Sequence, residues 1–221
     1  MSITLKTTTK IEEVADFIVA SILSQLNQGK RVLFFVTGGS SIAVGVKVSE
    51  LLKGNSVQNL TIMLTDERYG EINHSNSNFF QLSEKGFNLS QAKIIPILIN
   101  ENINVTTQKF NENLTKELNL ANYKIGLFGV GADGHTAGIL PESVAVDCQD
   151  FASNYNTPLF SRITITPKTI EKFNEAVVFM QGEEKWPVIK DLLNEDINIL
   201  KQPAQVLKKV PLLTIFSDLK S

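Results

Sequence analysis

The sequence predicts an open α/β fold: one domain over residues 1–221, with a doubly wound, mainly parallel sheet and helices on both faces. Three observations predict it. Short unbroken apolar runs such as Val32-Leu33-Phe34-Phe35-Val36 suit strands covered on both faces. Between them lie segments whose apolar residues return every three or four positions, the pattern of a helix with one buried face. Polar or glycine-rich segments follow three of the runs, and the carboxyl ends of parallel strands are where such folds gather ligand chemistry.

The N-terminal segment reads as a short strand and then a helix over residues 11–26. In that helix Ile11, Val14, Ala15, Ile18, Val19, Ile22 and Leu26 share one face, and Glu12, Glu13, Asp16 and Gln25 turn outward. Gly29 ends it, and the run 32–36 forms the next strand. A glycine turn leads into a helix over residues 40–52, followed by a strand over 60–64. A further strand is expected near residues 93–98, a helix over about 106–118 and a strand at 125–128. The alternating segment 162–166, the run 176–180, a helix over 186–193 and a last strand over 212–216 complete the series. Residues 73–78 read as a polar loop, after which Phe79-Phe80 returns to the core. Repeats, low-complexity tracts and long linkers are absent from the sequence.

Composition excludes several classes of function. Hydrophobic residues make up 43% and charged residues 20%, so the chain has enough apolar surface to fold. A net charge of −2 gives no reason to expect a nucleic-acid partner, whose nonspecific binding needs a concentrated positive surface. No stretch approaches the ~18 consecutive apolar residues of a membrane span, and the N-terminus lacks the pattern of a secretory leader. Cys148, the single cysteine, cannot form an internal disulfide, and two histidines are too few for a multi-histidine metal centre. These features lead to the expectation of a cytoplasmic protein with no cofactor, no metal, no membrane and no nucleic-acid partner. They set no oligomeric state.

Three segments carry candidate chemistry. Thr37-Gly38-Gly39-Ser40-Ser41 follows the run 32–36. Its glycines let backbone approach a ligand, and its hydroxyls and amides at a helix start can face an anion such as phosphate. The plainer alternative is a tight turn with Ser40 as N-cap. Thr65-Asp66-Glu67-Arg68 follows the run 60–64. There Arg68 offers a planar donor set for phosphate or carboxylate, and the alternative is a surface ion-pair cluster. Gly129-Val130-Gly131-Ala132-Asp133-Gly134-His135 follows the run 125–128 and satisfies G-x-G-x-x-G. The dinucleotide reading fails on context, because Pro141 interrupts any crossover helix and no strand ends in an acidic residue about twenty positions on. The informative pair is Asp133 and His135, a carboxylate beside an imidazole able to accept a proton near neutral pH. Its alternative is a hydrogen-bonded loop histidine, and His74 is the one other histidine in the chain.

The ordered series VTGGSSI, TDERYG with its later SNSNF, and GVGADGHTAGILP resembles the 6-phosphogluconolactonase branch of the sugar-phosphate lactonase/isomerase families. The resemblance continues through SRITITPKTI, FMQGEEK, QPAQVL and FSDLKS, and so covers nearly the whole chain in order. The rival branch, the glucosamine-6-phosphate deaminases, carries Asp-Glu-Tyr where this chain has Asp66-Glu67-Arg68. It also has Asn-Glu-Pro where this chain reads Gly138-Ile139-Leu140-Pro141. Two departures stand out from the lactonase pattern: GGSSI replaces the usual GGSTP, and Gly70 follows Tyr69 where Val-Pro is common.

The resemblance implies hydrolysis of a small sugar-phosphate lactone, 6-phosphoglucono-1,5-lactone, to 6-phosphogluconate. It gives His135 the role of general base and Asp133 that of its support. The glycine-turn residues Gly38, Gly39 and Ser40, together with Arg68, Lys185 and Arg162, are implied as the phosphate and substrate site. Asp66 is expected to organise Arg68 or the sugar hydroxyls, and Glu67 to cap local structure. Trp186 is expected in the core. Two other readings stay open: a deaminase or isomerase using Asp66 for proton transfer, and a sugar-phosphate-binding regulator without turnover.

Overall fold

A computed structural model describes residues 2–219. Its elements in order are β1 (Ser2–Thr7), α1 (Ile11–Leu26), β2 (Val32–Val36), α2 (Ile42–Leu52), β3 (Leu60–Leu64), β4 (Asp66–Arg68), α3 (Asn78–Glu84) and β5 (Lys93–Ile95). They continue with α4 (Ile103–Leu120), β6 (Tyr123–Phe128), β7 (Ala152–Asn156), β8 (Ser161–Ile165), α5 (Pro167–Ile170), β9 (Glu175–Met180), α6 (Trp186–Asn194) and β10 (Leu212–Ser217). Seven strands form one sheet in the order β1-β10-β9-β6-β2-β3-β5, and every neighbouring pair is parallel. β2 and β9 are buried along their whole length, as the apolar runs 32–36 and 176–180 within them require. α1 buries Val14, Ala15, Ile18, Val19 and Ile22, the face its spacing marks. Phe35 on β2 and Phe128 on β6 both pack against Phe173, with ring centroids 4.8 and 5.5 Å apart.

The strand order positions the site. From β2 the chain builds outward through β3 to β5. It then returns to lay β6 on the other side of β2 and builds outward again through β9 and β10. The direction reverses between β2 and β6, and a crevice opens beyond their carboxyl ends. Residues 37–41 and 129–140 leave the sheet at that crevice.

The structure departs from the sequence-based expectations in five places. Segment 162–166 does not extend the large sheet: β8 pairs antiparallel with β4 and β7 in a separate three-stranded sheet. Its alternating pattern marked a half-covered strand. Its partners, a three-residue strand and the polar run Ala-Ser-Asn-Tyr-Asn, carry too little apolar signal to reveal the pairing. α3 starts within the expected polar loop, capped by Ser77, whose hydroxyl accepts the Phe80 N–H at 3.1 Å. Phe79 and Phe80 on α3 are only half-buried, so this segment covers the core rather than entering it. β5 stops at Ile95 because Pro96 has no N–H to donate, although Ile97 and Leu98 are buried beyond it. α2 begins at Ile42 after a 3₁₀ turn over Gly39–Ser41, so Ser40 is not its N-cap, and neither Ser40 nor Ser41 makes a capping bond. Among the described residues no helix is long and apolar enough to cross a membrane.

Candidate active site

A cleft of about 290 Å³ lies at the crevice between β2 and β6. Gly38, Gly39, Ser40, Asp66, Arg68, His135, Arg162 and Lys185 all line it. Asp133 stands behind His135. The three segments that follow apolar runs in the sequence therefore converge.

On the β2 side, Gly38 lies against the Asn78 carboxamide, which occupies the space a β-carbon would need. Asn78 is buried and donates through Nδ2 to the Asp66 carbonyl at 3.1 Å and to Asp66 Oδ2 at 3.3 Å. It also lines the cleft, a role missed in the sequence. A signal was present in the run Ser75-Asn76-Ser77-Asn78-Phe79, but that run read as solvated loop because most of its residues are polar.

Strand alternation sorts the Asp66-Glu67-Arg68 triplet. Asp66 and Arg68 face the cleft, and Glu67 points the other way. Glu67 accepts the N–H groups of Arg68 (2.8 Å), Asn78 (2.6 Å) and Phe79 (3.0 Å) and the Ser77 hydroxyl (2.9 Å). It thereby ties the first turn of α3 to β4. Burial pushes the Glu67 carboxyl up, against the pull of these donors.

The register of β4 with β8 places Arg68 directly opposite Arg162, and Asp66 opposite Thr164. Like charges directly opposite each other destabilise a strand pair unless something between them compensates. Arg68 donates to the Asn76 carbonyl at 3.2 Å and stacks on Phe160, 4.9 Å from the ring centroid. Arg162 comes within 3.8 Å of Asp66, and its buried Nε has no partner among the described residues. The ion pair of Asp66 is therefore with Arg162 rather than with Arg68. Lys185 approaches from the 3₁₀ turn Glu183–Lys185 that follows β9. Three cations thus line a cleft that holds one buried carboxylate, an arrangement suited to a bound anion.

Burial pushes the Asp66 carboxyl up, opposed by Arg162 and the Thr65 hydroxyl. A carboxyl that ionises at higher pH when folded binds more protons in the folded chain. Its contribution to stability therefore falls as pH rises above about 3.9, the ordinary aspartate value. In thermal unfolding from about pH 4 to pH 8, the melting point of Asp66→Asn should gain on that of the wild type as pH rises. A constant difference between the two would refute the shift.

Beyond β6, the loop 129–135 closes on itself through Gly131 N–H to the His135 carbonyl (3.0 Å) and Gly134 N–H to the Gly131 carbonyl (3.0 Å). The His135 ring rests on Gly131, where a β-carbon would collide with it. This glycine makes room for the imidazole. No crossover helix follows, since Thr136 bridges to Val130 and to Ile139 instead. Asp133 Oδ1 accepts both the His135 backbone N–H (3.1 Å) and Nδ1 (2.6 Å). Burial opposes ionisation of Asp133, but the bond from the His135 backbone and the imidazole charge together hold its carboxyl below the usual range. An ionised Asp133 only accepts, so Nδ1 carries a proton, and in the neutral ring Nε2 is the nitrogen that holds the lone pair. No described residue hydrogen-bonds Nε2.

Set at the switch point of a doubly wound sheet, an oriented imidazole beside grouped cations belongs to the α/β enzymes rather than to structural proteins. The family model described as glucosamine-6-phosphate isomerases/6-phosphogluconolactonase matches residues 6–214, and the chain belongs to that family. A 6-phosphogluconolactonase from Borreliella burgdorferi is 28% identical over 198 residues, covering 84% of this chain and 83% of its own. The crystal structure of a 6-phosphogluconolactonase from Shewanella baltica superposes with a TM-score of 0.81 at 23% identity, covering 98% of both chains. A monomeric glucosamine-6-phosphate deaminase superposes with a TM-score of 0.79 at 18% identity, covering 97% of this chain and 96% of its own. Backbone similarity alone therefore does not separate the two branches.

Proposed function

We propose that the protein hydrolyses 6-phosphoglucono-1,5-lactone to 6-phosphogluconate, the lactone-opening step of the oxidative pentose-phosphate route. The observation that carries this reading is the Asp133–His135 pair in a cleft lined by Arg68, Arg162 and Lys185. The three cations and the amides near Gly39 and Ser40 hold the substrate phosphate. His135 Nε2 removes a proton from a water molecule as its oxygen adds to the lactone carbonyl. The imidazolium so formed is stabilised by Asp133 and returns the proton to the ring oxygen as the carbonyl–oxygen bond breaks. Backbone N–H groups of the glycine turns stabilise the oxyanion. A lactone is already reactive, so general-base help of about 10²–10⁴-fold suffices.

The side chains favour this reading over a deaminase. Asp66 is 5% exposed and engaged by Thr65, Asn78 and Arg162, whereas His135 presents a ring nitrogen unpaired among the described residues. The deciding experiment measures hydrolysis of freshly generated 6-phosphogluconolactone above its spontaneous rate, alongside ammonia release from glucosamine-6-phosphate. Lactone turnover without ammonia supports the proposal. Ammonia release supports the deaminase, and phosphosugar binding with neither product indicates a regulator.

Gly131→Ala provides a check on the histidine geometry. The added methyl group displaces the imidazole, and a displacement of about 1 Å can cost on the order of 10²-fold in rate. The expected outcome is a large fall in kcat with an unchanged thermal midpoint. An unaltered kcat would show that the ring position does not matter.

A further inference from the structure

Lys185 is the one cation of the cleft that no sheet holds. It sits on a short turn between β9 and α6, and a lysine side chain there loses its aim unless the turn is fixed. Two residues define that turn. Gly182 begins it with φ +105°, a conformation open to glycine and strained for any L side chain, and a β-carbon there would strike the Glu184 carboxylate. Trp186 ends it as the first residue of α6 and packs half-buried against the core.

Both ends bind one side chain from a distant part of the sequence. Asp218, just beyond β10, accepts the Gly182 N–H through Oδ2 at 3.1 Å and the Trp186 indole N–H through Oδ1 at 3.0 Å. Neighbouring bonds in turn anchor Asp218. The Ser217 hydroxyl donates to Oδ1 at 3.3 Å and accepts the Leu219 N–H at 3.1 Å, and the Thr7 hydroxyl donates to the Leu219 carbonyl at 2.9 Å. The indole bond, with help from the Gly182 N–H, holds the Asp218 carboxyl below its usual range, so it meets both donors as a carboxylate.

Resting on the proposed lactonase reading, we infer that Asp218 is a positioning residue. Its carboxylate clamps the turn 182–186 at both ends and so aims Lys185 at the substrate phosphate. It touches no reacting atom. Losing it should therefore weaken binding of the phosphorylated substrate and leave the chemical step intact.

The experiment compares wild type, Asp218→Ala, Lys185→Ala and the double variant in steady-state hydrolysis of 6-phosphogluconolactone. Asp218→Ala should raise KM roughly tenfold with kcat unchanged, the signature of lost binding common to ground and transition states. On the Lys185→Ala background it should add less than about twofold, since the two act through one contact. Trp186 is the only tryptophan in the chain, so its emission reports the clamp directly and should shift in Asp218→Ala. An unchanged KM, a fall in kcat, or full additivity with Lys185→Ala would each overturn the inference. If Asp218→Ala does not fold, Trp186→Phe removes one donor and keeps the ring. It should raise KM about threefold, and an unchanged KM there is equally fatal. Absence of wild-type turnover would instead reject the lactonase reading, a result distinct from any of these.

Discussion

Replacing His135 by asparagine should lower kcat for lactone hydrolysis by about 10²–10⁴-fold while changing KM little. Asparagine approximates the size of the imidazole and can still hydrogen-bond Asp133, so the cleft and its cations stay in place. It lacks a nitrogen lone pair to take the proton of the attacking water. The residual rate then reports what phosphate binding and the backbone donors achieve alone. Asp133→Asn should have a smaller effect, because the base survives but its tautomer is no longer imposed and its charged form no longer stabilised. The order of the two variants is diagnostic. Equal kcat for His135→Asn and wild type would remove His135 from the mechanism and return attention to Asp66.

Arg162→Ala should act on the other half of the reaction, raising KM by roughly 10–10²-fold, the effect of one or two charge-assisted hydrogen bonds to phosphate. Arg162 is the more telling of the cross-strand pair because its buried Nε has no partner among the described residues, whereas Arg68 already has Asn76 and Phe160. Arg162→Lys should not restore affinity, since a point charge replaces a planar fork. An independent test uses inorganic phosphate as the ligand. At about 100 times its Kd, phosphate should stabilise the wild type by about 2.7 kcal/mol, visible as a higher melting point, and should do far less for Arg162→Ala. Equal stabilisation of the two proteins would place the anion elsewhere.

The sequence conveyed most of the large sheet, because β2, β9 and most of β3 and β6 are buried and therefore read as largely apolar runs. The polar segments that follow three of these runs mark the rim of the cleft. The small sheet was harder to see. β4 has three residues, and its pairing with β8 joins segments nearly a hundred residues apart, which local patterning cannot encode. Of the two roles expected for Asp66, organising Arg68 rested on proximity in sequence, whereas the fold brings Arg162 to it instead. Ser40 looked like a cap because serine before an apolar helix commonly is one, yet the 3₁₀ turn shifts the helix start. Asn78 was missed because burial, which turns a loop asparagine into a structural one, is a property of the folded chain.

The placement of β1 against β10 has a consequence for the order of assembly. Ser2 pairs with Leu212 and Thr7 with Ser217, so among the described strands the first in order pairs only with the last. Contacts of such long range form late, after loop closure through the rest of the chain. The histidine loop and the paired arginines belong to segments that can pack before then. Asp218 cannot take up its place until β10 has docked. The turn that carries Lys185 is therefore the last part of the cleft to be held in place, after the histidine loop and the paired arginines.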